Sequence, residues 1–420
     1  MRIMVAGVSS GCGKTTLALA LMARLRAQGL SVAPFKAGPD YIDPGFHALA
    51  CGRASHNLDE WLCAPESVLR LLATAGDADI AVIEGAMGFY DGLGGGTDCS
   101  AWALANHTGT PVLLVLDGSG SAASAAATAL GFLKYREGSG IAGAIVNRVS
   151  GERHFALIRD ALAKVGLPCV GWLPKDGSLH MPDRHLGLVP AGERPQASAQ
   201  IERAASALRL DVGALERIAK GAGPIHAPAL DSAGTLAGRR VGVARDAAFS
   251  FIYEANLMAL RAEGAELVGF SPLSDGALPE GLDALWLPGG FPEVFEAALM
   301  QNAGMARSVR GAVDGGLRVY AECGGMLYLA MIGALPLRWR MTERLQRFGY
   351  VTVTDAGGAA FPAHEFHHSV VEPTEPLQTA FGVRKGESRW REGYLYKNVL
   401  AGYPHLHFFD RPALIGRLFR

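Results

Sequence analysis

The sequence predicts an α/β protein of two domains, each built as a three-layer arrangement with a sheet between helices. Short apolar segments of strand length alternate with helical segments in both halves of the chain, which is the pattern of βαβ units. At 420 residues the chain is long for one domain, and 49% apolar residues suffice to fill more than one core. The strands of the first half are almost continuously apolar, so we expect that sheet to be mostly parallel.

Charge and cysteine spacing exclude several classes of protein. A formal net charge of −1 provides no electrostatic footprint for nucleic acid or an anionic membrane surface. The six cysteines include no Cys-x-x-Cys pair, which argues against a disulfide framework or a zinc knuckle. No apolar stretch reaches membrane-spanning length, and no signal peptide is recognisable. We therefore expect a cytoplasmic protein that binds neither nucleic acid nor membranes.

The first strand leads into a glycine-rich loop that is typical of nucleotide-binding proteins. Residues 7–16 read Gly-Val-Ser-Ser-Gly-Cys-Gly-Lys-Thr-Thr, between an apolar run and a helical pattern. Backbone N–H groups of such a loop face a phosphate, Lys14 reaches the β- and γ-phosphates, and the Thr15 hydroxyl binds Mg²⁺. Five residues separate Gly7 from Gly13, one more than in the standard motif. The expected ATP-binding residues of this loop are Ser10, Gly11, Gly13, Lys14, Thr15 and Thr16.

Six strands are predicted in the first half, and polar residues follow several of them. The predicted strands are Ile3–Ala6, Ser31–Pro34, Asp79–Ile83, Val112–Leu116, Ala142–Val146 and Cys169–Leu173. Ligands of a parallel α/β sheet bind beyond the carboxyl ends of its strands. Asp40, Glu84 and Asp91 lie at such ends and are candidates for binding Mg²⁺ or orienting a substrate group. Asn147 follows another strand and could read the adenine edge of the nucleotide.

The apolar pattern loosens after residue 176. His180 and His185 are placed in a loop, and a helical stretch is predicted over Ile201–Ile218. Residues 221–237 are rich in Gly, Ala and Pro without periodicity, which is typical of a linker. We place the domain boundary near Leu230. The predicted organisation is an ATP-dependent domain at 1–225, a linker at 226–238 and a second domain at 239–420.

A cysteine at the end of a strand is the candidate nucleophile of the second half. Residues 317–326 predict a strand, a tight turn carrying Cys323 and a helix, which is the form of a nucleophile elbow. The helix N-terminus favours the thiolate. The N–H groups of Gly324 and Gly290, the latter after the predicted strand at 282–287, could form an oxyanion hole. A buried structural cysteine is the alternative, which the glycines around both turns disfavour.

The segment Tyr403–Phe408, Tyr-Pro-His-Leu-His-Phe, supplies the candidate base. His405 and His407 share a face of an extended segment but lie about 7 Å apart, so only one can reach the sulfur. We predict His405 as the base, with His407 as the alternative. An orienting carboxylate often stands two residues beyond such a base, where this chain has His407. The prediction is therefore a Cys-His dyad.

The run His364-Glu365-Phe366-His367-His368 matches the zinc-protease pattern His-Glu-x-x-His. That pattern binds zinc only on a helix, where its two histidines share a face. Glycines and a proline precede the run, and Ser-Val-Val follows it, which indicates a strand. We therefore reject a metalloprotease and interpret His364 and His367 as substrate contacts, with surface histidines as the alternative.

These segments together resemble the cobyrinic acid a,c-diamide synthases of cobalamin biosynthesis, and the resemblance covers nearly the whole chain. The first half is similar to the nucleotide domain of dethiobiotin synthetases, which shares the long loop spacing. The second half is similar to class I glutamine amidotransferases. The segments that carry the resemblance are Gly7–Thr16, Lys36–Pro44 (KAGPDYIDP), Glu84–Gly92 (EGAMGFYDG), Ala321–Met326 (AECGGM), His364–Ser369 (HEFHHS) and Tyr403–Phe408 (YPHLHF).

The resemblance implies a corrin substrate whose a and c acetate side chains are amidated, with glutamine as nitrogen donor. A carboxylate is a poor acceptor for ammonia, so ATP with Mg²⁺ first converts it to an acyl phosphate. Cys323 and His405 release ammonia from glutamine, and we expect a shielded path for it between the sites. The matching motifs assign Asp40, Tyr41, Asp43 and Asp91 to handling of the metal or of the substrate carboxylate.

Several alternatives stay open. The corrin can carry cobalt or be metal-free, and the composition favours hydrogenobyrinic acid only weakly. A cobyric acid synthase or another tetrapyrrole a,c-diamide synthase would use the same parts. A partitioning-type switch ATPase lacks an amidotransferase half and carries a signature lysine where this chain has Ser9. A scaffold with an inactive glutaminase is a further alternative, and the assembly, a homodimer included, is undetermined.

Overall fold

The computed structural model describes residues 1–179, 196–227 and 232–420. They form two compact units. The first holds the described residues up to 227 except 61–63, and the second holds residues 61–63 and those from 232 onward. His180, His185 and Leu230, which entered the sequence predictions, lie outside the described residues. Within these ranges, no helix combines the length and the apolar character needed to cross a bilayer.

The sheet of the first unit has eight strands in the order β3-β2-β4-β1-β5-β6-β7-β8 and is parallel except for its last pair. The strands are β1 (Arg2–Gly7), β2 (Val32–Ala37), β3 (His56–Leu58), β4 (Ile80–Glu84), β5 (Val112–Asp117), β6 (Ile141–Val149), β7 (Cys169–Pro174) and β8 (Arg209–Leu210). The predicted fold class is confirmed, because the buried apolar strands pair in parallel as expected. The two shortest strands, β3 and β8, were not predicted.

Eight α-helices are described in the first unit. They are α1 (Lys14–Ala27), α2 (Asp43–Cys51), α3 (Pro65–Ala73), α4 (Ala101–Thr108), α5 (Ala123–Tyr135), α6 (Glu152–Lys164), α7 (Ala197–Ala207) and α8 (Val212–Ala219). The single helical stretch predicted over 201–218 is wrong. The chain leaves α7 to pair residues 209–210 with β7, and the Asp211 carboxylate then caps α8 by accepting from Ala214 N at 2.9 Å.

The second unit has a ten-stranded sheet in the order β10-β9-β11-β12-β19-β18-β17-β14-β15-β20, and β13 pairs separately with β16. Its strands are β9 (Arg240–Ala244), β10 (Glu266–Phe270), β11 (Ala284–Leu287), β12 (Arg318–Glu322), β13 (Leu337–Met341), β14 (Arg347–Asp355), β15 (Ala360–His367), β16 (Ser369–Pro373), β17 (Gln378–Lys385), β18 (Ser388–Tyr396), β19 (Val399–Gly402) and β20 (His405–Leu406). The half from β10 to β19 is parallel, and the remaining pairs are antiparallel.

Four of the five helices described in the second unit follow its parallel strands, and the last follows β20. They are α9 (Glu254–Ala262), α10 (Glu296–Gln301), α11 (Ala303–Asp314), α12 (Gly324–Met331) and α13 (Pro412–Phe419). Phe251, three residues before α9, is extended and bridges Gly289. The strand predicted around His364–His368 is confirmed by β15, so the two histidines do not share a helical face.

Candidate active sites

The glycine-rich loop of the first unit connects β1 to α1 in the predicted way. Gly13 has φ 94° at the start of α1, a conformation that favours glycine. A Cβ at this position would lie 1.8 Å from Asn147 Nδ2. Lys14 is buried and its Nζ donates to the Ser9 carbonyl at 2.9 Å, so the ammonium lies over the loop. Burial lowers the pKa of Lys14.

Glu84 is the centre of the polar network beside this loop. Its carboxylate is fully buried at the end of β4 and accepts from Thr15 Oγ1 at 2.7 Å and from Lys36 Nζ at 2.9 Å. His47 Nε2 lies 2.7 Å from its other oxygen. Burial opposes ionisation of Glu84, but Lys36, His47 and Thr15 together hold its pKa well below the usual range. The predicted strand-end carboxylate and loop threonine are therefore brought into contact.

Sequence reasoning missed Lys36 and His47 as members of this network. Lys36 is the penultimate residue of β2, and it also pairs with Asp43 at 2.6 Å, so its ammonium lies between two carboxylates. His47 is fully buried on α2, with Nδ1 3.1 Å from Ser55 Oγ. Lys36 could have been predicted as a member from its position near the carboxyl end of a strand, because the carboxyl ends of parallel strands meet at one edge of the sheet.

Three of the other predicted residues of the first unit, Asp40, Asp91 and Asn147, hydrogen-bond to backbone groups. Asp40 Oδ1 accepts from the backbone N–H groups that start α2, at 2.8 and 3.1 Å. Asp91 is exposed and its Oδ2 accepts from Gly88 N at 2.9 Å. Asn147 Nδ2 donates to the Cys12 carbonyl at 3.0 Å, so this side chain packs on the glycine-rich loop. Tyr41, between Asp40 and α2, is half-buried.

The Thr15–Glu84 pair has the chemistry of a Mg²⁺ site. A loop hydroxyl and one strand-end carboxylate are oxygen ligands of the kind that Mg²⁺ combines with phosphate oxygens and water. Over the described ranges, no group of three or more His, Cys, Asp or Glu side chains is arranged to hold a metal. A metal at this pair would therefore depend on the bound nucleotide for the rest of its coordination.

In the second unit, Cys323 stands at a strained elbow between β12 and α12. Its φ of 44° and ψ of −102° are unusual for a side chain with a Cβ, and its N–H donates to the Gly402 carbonyl at 2.7 Å. A Cβ added to Gly324 would lie 2.9 Å from Gly290 N, so the two predicted oxyanion-hole residues are neighbours. The nucleophile elbow thus has the expected backbone form.

The thiol of Cys323 lies in surroundings that oppose its ionisation. Burial raises its pKa above the ordinary value, and the carboxylates of Glu293, Glu322 and Glu365 raise it further, while the Gly324 N–H acts in the opposite sense. A thiol held in this way requires a base before it can act as a nucleophile.

His405 is placed by contacts on several sides. It pairs with His364 across β15 and β20, and its ring lies against Gly289, where a Cβ would be 2.3 Å from Cε1. Asn256 fixes the following residues by donating to the Leu406 carbonyl at 2.9 Å and accepting from Phe408 N at 3.0 Å. Burial, and then the neighbouring imidazoles of His364 and His367, lower the pKa of His405 to about 3.

A buried acid next to Cys323 was not predicted. Glu322 Oε2 lies 3.9 Å from His405 Nδ1, and Oε1 accepts from Tyr320 Oη at 2.6 Å and from Leu406 N at 3.0 Å. Burial raises the pKa of Glu322 to about 7. The sequence prediction considered the position two residues beyond His405, whereas the structure brings a carboxylate from the residue before Cys323. Glu322 stands directly before Cys323 in the elbow motif, and that position was the sequence signal from which this acid could have been predicted.

The remaining predicted histidines occupy different positions. His407, the alternative base, has its ring nitrogens 3.6 and 3.8 Å from Cys63 Sγ. His367 stacks on Tyr403 with ring centroids 3.6 Å apart, and its Nδ1 lies 2.8 Å from the Ser369 carbonyl. His364 and His367 therefore belong to the unit that contains Cys323.

The fold and these two sites define a glutamine amidotransferase joined to a nucleotide-binding domain. Residues 3–189 match the CobQ/CobB/MinD/ParA nucleotide binding domain, and residues 240–413 match the CobB/CobQ-like glutamine amidotransferase domain.

Full-length relatives identify the family more narrowly. The chain is 40% identical to a cobyrinate a,c-diamide synthase of Listeria innocua, over 100% of this chain and 98% of the relative. It is 39% identical to a hydrogenobyrinate a,c-diamide synthase of Streptomyces coelicolor, over 99% and 96%. A hydrogenobyrinate a,c-diamide synthase of Rhizobium meliloti is 40% identical, over 97% and 99%. The chain belongs to the cobyrinate and hydrogenobyrinate a,c-diamide synthase family.

Proposed function

We propose that this protein uses ATP and glutamine to amidate the a and c acetate side chains of cobyrinic or hydrogenobyrinic acid. One observation carries the proposal. A single chain of this family has a loop lysine and a Thr15–Glu84 contact in the first unit, and a cysteine elbow with a buried histidine in the second. The proposed boundaries are an activating domain at 1–225, a linker at 226–238 and a glutaminase domain at 239–420.

The first unit activates the carboxylate. Bound Mg²⁺, held by Thr15 and Glu84, would supply positive charge at the β- and γ-phosphates. Lys14 and the loop N–H groups stabilise the negative charge that develops on the transferring phosphoryl group. Lys36 lies between Glu84 and Asp43, within reach of the same edge of the sheet, and can pair with the incoming substrate carboxylate or the phosphoryl group. The product of this step is an acyl phosphate, which ammonia then attacks.

The second unit releases the ammonia. Cys323 transfers its proton to His405 and attacks the side-chain amide carbon of glutamine, and the N–H groups of Gly290 and Gly324 stabilise the resulting oxyanion. His405 then donates the proton to the departing nitrogen, and water hydrolyses the thioester. Glu322 orients His405 and stabilises its protonated form. Ammonia must reach the acyl phosphate unprotonated, so we propose a shielded path for it.

Two variants test whether the first unit activates the carboxylate and the second releases ammonia. Cys323→Ala should lose glutamine-dependent amidation and retain amidation with ammonium salts, because it lacks only the nucleophile. Lys14→Ala should lose amidation from either nitrogen source and still hydrolyse glutamine. Product masses and glutamate release are the measurements. Normal use of glutamine by Cys323→Ala would contradict the nucleophile assignment.

A competition experiment addresses the metal state of the corrin. Cobalt-bearing and metal-free diacids are offered together, and the diamides are quantified by mass spectrometry. The preferred substrate is the one whose diamide accumulates faster at equal concentration. Absence of diamide from both would contradict the proposed function.

A further inference from the structure

Glu365 is a fully buried carboxylate whose chemistry is not used by the steps above. Within the described part of the chain, neither of its side-chain oxygens has a hydrogen-bond partner. Its ion pair with Arg347 is long, 3.9 Å from Nε to Oε2, and that guanidinium lies 3.7 Å above the Trp390 ring. Burying a carboxylate without hydrogen bonds is unfavourable by several kcal/mol. Packing alone therefore does not explain an acid at this position.

The position of Glu365 on β15 connects it to the nucleophile. The carbonyl of the next residue, Phe366, lies 4.0 Å from Cys323 Sγ. Glu365 shares a strand face with His367, whose ring stacks on Tyr403. Tyr403 directly follows Gly402, whose carbonyl accepts a hydrogen bond from Cys323 N. The carboxylate is also close enough to the thiol to raise the pKa of Cys323.

A second acid makes this region attractive to a cation. Glu392 Oε1 accepts from Gly393 N at 3.2 Å and from Tyr403 N at 3.4 Å, so it is tied to the backbone. Burial, and then the nearby Glu392, raise the pKa of Glu365 to about 8, against the opposing effects of Arg347 and Lys385. A group with several N–H donors and a positive charge would satisfy the oxygens of Glu365 and favour its ionised form.

Glutamine carries such a group at a fixed distance from its reactive carbon. With bond lengths of about 1.5 Å, the α-ammonium lies about 5 Å from the side-chain amide carbon in an extended conformer. When the amide carbon contacts Cys323 Sγ, the ammonium must therefore occupy a position close to the nucleophile. We propose that Glu365 binds the α-ammonium group of glutamine, an inference that rests on the glutaminase function proposed above.

This contact would couple recognition of the donor to the charge state of Glu365. Near neutral pH and without a cation, Glu365 is largely protonated, because its pKa is raised to about 8. The α-ammonium favours the ionised form when glutamine binds, and its positive charge offsets the carboxylate charge that would otherwise oppose a thiolate at Cys323. An amide without an ammonium group would gain no such contact.

The test compares glutamine with its analogue that lacks the α-amino group, glutaramate. Ammonia release from both is measured with the full-length protein carrying Glu365→Gln, with the unmodified protein, and with Glu372→Gln as matched control. Glu372 is an exposed acid on β16. Hydrogen bonds to charged groups contribute about 1.5–3 kcal/mol. We therefore expect the kcat/KM of the unmodified protein to be about 10- to 150-fold higher for glutamine than for glutaramate.

Glu365→Gln should reduce this preference to less than about 5-fold, mainly by raising KM for glutamine. Its amidation with ammonium salts should be unchanged, which also shows that the variant is folded. Glu372→Gln should retain the full preference.

An unchanged preference in Glu365→Gln would overturn the inference, and so would an equal loss on both substrates, which would indicate binding of released ammonium. If the unmodified protein releases ammonia from neither compound, the glutaminase function fails as well. If the unmodified protein releases ammonia from both compounds without preferring glutamine, only the role of Glu365 fails.

Discussion

Glu322→Gln is the sharpest test of how His405 is held. The substitution is nearly isosteric, and the amide oxygen can still accept from Tyr320 Oη and Leu406 N, as Glu322 Oε1 does. What changes is the group facing His405 Nδ1, which becomes a neutral N–H donor in place of a carboxylate oxygen at 3.9 Å. The variant therefore removes the charge while keeping the packing.

The size of the effect follows from that distance. At an effective dielectric constant of about 20, a carboxylate and an imidazolium separated by 3.9 Å attract by about 4 kcal/mol. The imidazolium exists only after His405 has taken the thiol proton, so the loss falls on kcat, by up to about 10³-fold. Amidation with ammonium salts should be unaffected, because that reaction bypasses Cys323.

The assay is glutaminase kcat as a function of pH, together with the imidazole pKa of His405 from NMR. Tyr320→Phe is the matched control, because it removes one hydrogen bond to Glu322 but leaves the charge, and a loss below about 10-fold is expected. A Glu322→Gln enzyme within about 3-fold of the unmodified protein would refute the assigned role.

Three further predictions concern stability and the two sites. Buried His405 and His367, with pKa values of about 3 and 4, bind fewer protons in the folded than in the unfolded chain, whereas Glu322 and Glu365, with pKa values of about 7 and 8, bind more. The two effects offset each other between about pH 4.5 and 6.5. Stability should therefore fall below about pH 4.5, where the histidines dominate, and from about pH 6.5 to 8, where the acids dominate. Urea unfolding would show this plateau between two declines, and a Glu365→Gln protein with an unchanged alkaline decline would contradict it. Lys36→Gln should lower the free energy of unfolding by about 3–5 kcal/mol, because it leaves buried carboxylates without their cation, and should stop amidation from either nitrogen source while glutamine hydrolysis continues. Gly289→Ala places a Cβ 2.3 Å from His405 Cε1 and should slow glutaminase by about 100-fold; normal turnover would show that the ring position is not critical.

The sequence was a sufficient guide to elements that local chemistry specifies. The apolar strands, the glycine loop before α1 and the elbow at Cys323 are each encoded in a contiguous run of residues, and each was predicted within a few positions. The break between α7 and α8 was missed because it depends on pairing with β7, a partner 37 to 39 residues earlier in the chain. Local propensity carries no information on such a pairing.

Tertiary structure alone decided which polar side chains meet. The sequence determined that a phosphate loop and a cysteine elbow exist, because glycines, an apolar strand and a helix start define each of them locally. It did not determine that Lys36 and His47 surround Glu84, or that Glu322 faces His405 while His407 lies against Cys63, since these neighbours come from separate strands and helices. Strand order and register bring them together, and burial then sets their pKa values, so the proton chemistry of both sites is a property of the folded chain.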